Sequence, residues 1–145
     1  MEIKVYTKGD EQAVVDLWQE AISGLPDIVD NRIDIKARLS IPSQYFFVVS
    51  IEGQVVGTAL AGVNETVALL DHLAVKPEFR RQGIGKALLS EAENRLSEAG
   101  CAGLKIQIDA ANQPALDFLT ALGYRLEGLV NLGKNFPVAD NGKRT

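Results

Sequence analysis

The segment Leu73-Ala74-Val75-Lys76-Pro77-Glu78-Phe79-Arg80-Arg81-Gln82-Gly83-Ile84-Gly85-Lys86-Ala87-Leu88-Leu89 carries most of the chemical information in the chain. A β-forming run ends at Val75, Pro77 interrupts it, and two glycines open a run with helical periodicity. The first amides of such a helix lack intrahelical partners, and its macrodipole places partial positive charge there. Glycines at 83 and 85 let an anion approach the backbone without meeting a Cβ. Arg80, Arg81 and Lys86 add charge where a pyrophosphate or a ribose phosphate would sit. Two familiar phosphate loops are excluded by spacing. A Walker A loop needs four residues between its glycines and Ser or Thr after the lysine, whereas Gly83 and Gly85 are two apart and Ala87 follows Lys86. A dinucleotide fingerprint needs a third glycine where Leu88 stands. What remains is an anion site of another kind, or a tight turn with a charged, solvated rim.

Asp71 and His72 stand just upstream. Strict strand alternation groups Leu69, Asp71, Leu73 and Val75 on one face, and Leu70, His72 and Ala74 on the other. Histidine is the side chain best suited to moving protons near neutral pH, but alternation turns His72 away from Asp71 and toward a structural role. The single cysteine, Cys101, reads as a small buried hydrophobe rather than a nucleophile, because the lone His72 is not an evident partner. One histidine and one cysteine make no credible ligand cluster, so no metal is expected.

These residues need elements to position them. The first strand is expected over Glu2 to Thr7, with Gly9-Asp10 opening a helix whose apolar face is Val14, Leu17, Trp18, Ala21 and Ile22. Asp10 is placed to cap its first amides. Ser23-Gly24-Leu25-Pro26 ends that helix, and a second short one covers Ile33 to Leu39. Tyr45 to Ile51 and Gln54 to Gly62 form a hairpin around Glu52-Gly53. A further strand runs from about Thr66 to Val75. The long helix from Gly83 to about Ala99 has Ile84, Leu88, Ala92, Leu96 and Ala99 on one stripe, a Glu91–Arg95 pair, and Gly100 after its end. Leu104 to Ile108 is the next strand, followed by a helix with Pro114 in its first turn and Gly123 after its end. Tyr124 to Val130 and Leu132 to Phe136 read as a closing hairpin.

At 145 residues, with 46% hydrophobic and 23% charged residues, the chain suits one globular domain, expected over 1–138, with 139–145 as a flexible tail. The formal net charge of −4 argues against broad nucleic-acid binding. It leaves room for a small anion held by a few concentrated cations. The start lacks a long apolar run, so neither a signal peptide nor a membrane span is expected there. With one cysteine and no intramolecular disulfide, a reducing cytoplasmic setting is the simplest expectation.

The central segment resembles the acetyl-CoA-binding motif of the GNAT superfamily of N-acetyltransferases, Arg/Gln-x-x-Gly-x-Gly/Ala, carried by Arg80, Gly83 and Gly85. Leu73-Ala74-Val75-x-Pro77-Glu78-Phe79 matches the family's strand end and lead-in. Asn112-x-x-Ala115-x-x-Phe118 and Gly123-Tyr124 match its later pattern. The likeness spans roughly residues 1 to 136. Asp34-Ile35, Pro77-Glu78-Phe79 and Leu132-Gly133-Lys134 are similar to the bacterial YpeA-like acetyltransferases.

The resemblance implies a mixed α/β fold. About seven strands form a central sheet whose fourth and fifth strands splay, flanked by about four helices. Pantetheine would lie in the gap against backbone around Leu73, Ala74 and Val75. Amides from Gln82 through Gly83, Ile84, Gly85 and Lys86, with Arg80 and Arg81 nearby, would hold the pyrophosphate. Asn112 would contact the pantetheine arm, or cap the helix before Pro114, and Phe118 would line the wall or pack in the core. The oxyanion contact would be a backbone amide near Leu73 or Ala74. Asp71 would act as base or water-holding acid, or else bind substrate or an ion-pair partner. Gln107 stands where some relatives carry a glutamate. Leu119 stands where they usually carry the tyrosine that protonates the departing thiolate, and Tyr124 is the nearest alternative acid. Asp27, Asp30 and Asn131 would border the acceptor cleft, with Asp30 or Asn31 also suited to capping the second helix. The implied activity is direct acetyl transfer from acetyl-CoA to an amine, and the rival is an acyl-CoA-binding sensor or interaction module. Family members often dimerise, which leaves a homodimer open.

Overall fold

The computed structural model describes residues 1–22, 31–128 and 132–137. Two compact units divide the chain, Met1–Asn112 and Gln113–Thr145. The first contains β1 (Glu2–Val5), α1 (Glu11–Ala21), α2 (Asn31–Leu39), β2 (Gln44–Ile51), β3 (Gln54–Asn64), β4 (Val67–Val75), α3 (Ile84–Glu98) and β5 (Gly103–Ile106). The second contains α4 (Gln113–Ala121).

The five strands lie in sequence order, antiparallel from β1 to β4, with β5 parallel to β4. The β2–β3 connection shows why two residues suffice: Glu52 and Gly53 both take positive φ, 51° and 79°, as a two-residue hairpin turn demands. A parallel pair cannot be joined so tightly, and here α3 makes the crossover between β4 and β5. The four expected helices and the mixed sheet are present; the strand count among the described residues is five, not seven. Residues 124–128 and 132–137 form no strand, and Leu126 and Leu132 stand exposed. Apolar content marks a segment as able to join a sheet, but only pairing makes it a strand. The tail expected over 139–145 lies outside the described residues.

Both faces of the sheet are covered. Val14, Leu17 and Trp18 of α1 and Ile35 of α2 pack with Phe46, Val48, Leu60 and Ala74 in one core cluster. On the other face α3 contributes Ile84, Leu88, Leu89, Ala92 and Leu96, all buried. Its first turns press against bare backbone at Gly57. A Cβ built there would lie 3.1 Å from Ile84 Cγ2, 3.1 Å from Leu88 Cδ1 and 3.3 Å from the Ala74 carbonyl. The close approach therefore favours glycine at 57, and it seats the N-terminus of α3 beside the end of β4.

One local expectation needs correction. Asp10 makes no side-chain bond to the first amides of α1. Its carboxylate instead accepts from the Thr7 amide at 2.9 Å and from Lys4 Nζ at 2.6 Å. A one-turn 3₁₀ segment, Lys8–Asp10, precedes α1 and points Asp10 back toward β1.

Candidate active site

Strand alternation fails at the point that matters most. Across β3 and β4, Leu60 pairs with Asp71 and Thr58 with Ala74, so the single Ala59 faces both His72 and Leu73. This is a β-bulge, and His72 occupies it with φ of 50°. The extra residue resets the alternation. Asp71, His72 and Ala74 consequently all lie on the side of the sheet covered by α1 and α2, contrary to the opposite faces expected for Asp71 and His72. Nothing in the side-chain pattern of β4 signals the bulge.

Four residues, Thr58, Trp18, Asp71 and Asp34, surround His72 at the bulge. The Thr58 hydroxyl, fully buried, donates to the His72 carbonyl at 3.0 Å and accepts from Trp18 Nε1 at 2.9 Å. The Trp18 and His72 rings lie 4.2 Å apart, centroid to centroid. His72 Nδ1 lies 3.1 Å from Asp71 Oδ1. The other ring nitrogen, Nε2, lies 3.5 Å from Asp34 Oδ2 on α2.

Asp71 is tied down further. Arg38 Nη1 reaches both of its oxygens, at 3.0 and 2.9 Å, while Arg38 Nε and Nη2 bond Gln44 Oε1 at 3.1 and 3.0 Å. Burial pushes the Asp71 carboxyl up. The hydrogen bond from His72 and the positive charge of Arg38 outweigh it, leaving the pKa below the ordinary aspartate value. An ionised, doubly bonded carboxylate orients its neighbours well and accepts protons poorly. Arg38, Gln44 and Thr58 were not legible as site residues. Arg38 lies 33 positions from Asp71, and only the fold joins them.

The same bulge lies where β4 and β5 part. Their parallel pairing runs from Val67 with Gly103 to Leu70 with Ile106 and stops there. β4 continues to Val75, so from Asp71 onward its β5-side edge pairs with no strand among the described residues. Leu73, Ala74 and Val75 lie on this open stretch. β5 ends before the expected Ile108, which leaves Gln107 just past the strand.

Past Val75, Lys76 donates its amide to the Val56 carbonyl at 2.8 Å, and Pro77–Phe79 forms one 3₁₀ turn. Arg81 and Gly83 then take left-handed φ values of 65° and 82°. Gly83 is the N-cap of α3, and a Cβ there would meet nothing within 4 Å. Gln82, Gly83, Ile84, Gly85 and Lys86 thus make a turn whose amides open at a helix N-terminus. Alternating left- and right-handed backbone at such a terminus is an anion-binding geometry. Arg80 has a different engagement. Its Nε donates to the Val75 carbonyl at 3.1 Å and its Nη2 to the Ala21 carbonyl at 3.3 Å, clamping the end of α1 to the end of β4.

Asn112 immediately precedes α4, and its amide donates to the Asp109 carbonyl at 2.9 Å. In the second unit Phe118 is 37% exposed and Leu119 buried. Gly123 has φ of 97°, and the Tyr124 amide bonds the Leu119 carbonyl, ending α4 as expected of a glycine just past a helix. Asp27, Asp30 and Asn131 lie outside the described residues. Among the described residues, no group of three or more His, Cys, Asp and Glu side chains is arranged to hold a metal ion. No helix among them is long and apolar enough to cross a membrane.

A mixed sheet with a bulged fourth strand and a parting fifth strand thus leads to a glycine-capped turn at the N-terminus of α3. Residues 12–124 match the family model described as the acetyltransferase (GNAT) family, and the chain belongs to that family. Among similar solved structures is AAC(6')-Iy in complex with the bisubstrate analogue CoA-S-monomethyl-acetylneamine, at 21% identity. That match covers 93% of this chain and 98% of the other, with a TM-score of 0.79. The aminoglycoside acetyltransferase meta-AAC0020 from an uncultured soil metagenomic sample, in complex with trehalose, matches at 22% identity over 94% and 96% of the two chains, with a TM-score of 0.81. The ribosomal-protein-S18-alanine N-acetyltransferase of Escherichia coli matches at 25% identity over 84% and 76%, with a TM-score of 0.74.

Proposed function

We propose that the chain is an acetyl-CoA-dependent N-acetyltransferase that passes acetyl directly to a primary amine of a small molecule or a protein. The observation that carries the reading is the continuity of one path. The open edge of β4 from Asp71 to Val75 leads straight into the anion turn at Gln82–Lys86. Acetyl-CoA, when bound, supplies an activated thioester whose sulfur can leave as a thiolate.

In this reading the amides from Gln82 to Lys86 bind the pyrophosphate, with Arg81 and Lys86 adding charge. Leu73, Ala74 and Val75 offer backbone groups to the pantetheine arm, and the Leu73 amide, inside the bulge, stabilises the oxyanion. Arg80 acts mainly by holding α1 and β4 in place. Asp71, held ionised by Arg38, orders its neighbours rather than taking the amine proton. Asn112 and Phe118 are proposed cofactor contacts on the family resemblance. Leu119 has no proton to donate, so water or another group protonates the thiolate.

The catalytic domain is proposed to span 1–138. Its short motifs, Asp34-Ile35 among them, support a YpeA-like subfamily, working in the cytoplasm, and a homodimer fits the family's habit. The second reading, an acyl-CoA sensor with little turnover, rests on Leu119 and Gln107, neither of which serves as a catalytic acid or base.

Titration of acetyl-CoA into wild type and Gly83→Asp tests the site. Binding should weaken at least about tenfold in a folded Gly83→Asp, since a carboxylate there opposes the helix terminus. Thiol release is then followed with sisomicin and with a peptide bearing an N-terminal alanine. Unchanged affinity in Gly83→Asp would remove the basis of the reading, whereas binding without thiol release from any amine would favour the sensor.

A further inference from the structure

We infer that His72 is the group that takes the proton from the acceptor amine, through Nε2, and that Asp34 draws a cationic acceptor to that side of the ring. The inference rests on the acetyl-transfer reading above and deepens it.

The geometry is specific. An ionised Asp71 can only accept a hydrogen bond, so His72 Nδ1, 3.1 Å from Oδ1, is the nitrogen that donates. In the neutral ring the lone pair is then on Nε2. Asp34 Oδ2, at 3.5 Å from Nε2, is too far and too solvated to claim that position as firmly; its side chain is 38% exposed. A proton arriving at Nε2 therefore enters a ring with a carboxylate at each end. Among the described residues, charged and polar groups reach His72 from four elements. α2 supplies Asp34 and, through Asp71, Arg38; β4 supplies Asp71; α1 presents the uncharged Trp18; and β3 presents the Thr58 hydroxyl. The bulge sets the ring beside Leu73, where β4 leaves β5, and only 17% of the side chain is exposed.

R–NH₃⁺ gives one proton to Nε2, and the freed amine attacks the thioester carbonyl. A C–N bond forms, the C–S bond breaks, and CoA leaves as thiolate. The second amine proton goes to the thiolate or to water, and imidazolium releases its proton to solvent. The net products are the amide, CoA thiol and one proton.

The chain has one histidine, so its imidazole can be read without ambiguity. Long-range ¹H–¹⁵N NMR of the full chain saturated with CoA should show the Nδ1–H tautomer in the neutral ring. Asp71→Asn should weaken that preference. With sisomicin as amine, His72→Asn, chosen because asparagine tolerates left-handed φ, should lower kcat roughly 10²–10⁴-fold. It should also abolish the acid limb of the pH profile while leaving acetyl-CoA affinity within about threefold. Asp34→Asn should raise KM for sisomicin more than it lowers kcat. An Nε2–H tautomer in the wild type, or a His72→Asn enzyme retaining its rate and acid limb, would overturn the inference and leave acetyl transfer standing. A wild type that binds acetyl-CoA yet releases no thiol with any amine would overturn acetyl transfer itself, and the inference with it.

Discussion

Replacing Thr58 by valine should cost about 2–4 kcal/mol of stability, although valine is nearly the same shape and a better strand former. Thr58 is fully buried, and its hydroxyl serves two groups at once, Trp18 Nε1–H at 2.9 Å and the His72 carbonyl at 3.0 Å. Trp18 is itself fully buried, so its N–H would find no water. A buried donor or acceptor left without a partner costs about 1–3 kcal/mol. The carbonyl should fall at the low end, because it has a second lone pair. Thr58→Ser keeps the hydroxyl and loses one methyl, worth about 1 kcal/mol. The expected order is therefore threonine, serine, valine. Packing and β-propensity alone would place valine first. Urea denaturation followed by circular dichroism measures all three, and Trp18→Phe in both backgrounds closes a double-mutant cycle. A Thr58→Val protein within about 0.5 kcal/mol of wild type, or more stable than Thr58→Ser, would refute the idea that this hydroxyl pins the bulge.

Other perturbations follow from the same contacts. Gly57→Leu should destabilise by about 1–3 kcal/mol or more, because Ile84 and Leu88 already stand 3.1 Å from the position of a Cβ; an unchanged denaturation midpoint would show that α3 can lift without cost. Arg80→Ala should lose about 1 kcal/mol as the Val75 and Ala21 carbonyls lose their donor, and Arg80→Lys should not restore it, since one ammonium lacks the fork that spans both. The Asp71 pKa is depressed in the folded state, so its contribution is present above the unfolded value of about 3.9 and is lost as pH falls through the folded value. The stability gap between wild type and Asp71→Asn, open at pH 7, should therefore narrow below about pH 4; a gap constant from pH 7 to pH 2 would mean that the carboxylate charge does not stabilise the fold.

Much of the scaffold was legible because its signals are local. Gly83 before α3, Gly100 after it and Glu52-Gly53 between β2 and β3 each state a backbone conformation, and each adopts it. The glycine turn before α3 was legible for the same reason, as glycines and cations compressed into a few positions. The proton-handling side was not. Alternation along Val67–Val75 reads as an unbroken strand, and no residue type in it demands a bulge. Asp71 was singled out, but its partners Arg38 and Gln44 come from another helix and another strand. The closing hairpin was read from composition, and among the described residues 124–128 and 132–137 form no strand, because composition alone does not dictate pairing.

The residue chosen for the bulge bears on what the bulge is for. A left-handed position in a strand is cheapest as glycine, and a side chain there costs on the order of 1 kcal/mol or more. If the only task were to turn β4 away from β5, glycine at 72 would serve. Instead the chain places histidine at φ of 50° and holds it with the Trp18 ring, the Asp71 carboxylate and the Thr58 hydroxyl. Those contacts offset the strain, and each also restricts the ring: its plane by Trp18, its tautomer by Asp71, its backbone by Thr58. A purely structural residue needs the fold to tolerate it. This one is oriented at every degree of freedom, with its remaining nitrogen turned toward Asp34 at 3.5 Å. The strain and the restraint together point to a side chain whose placement is used.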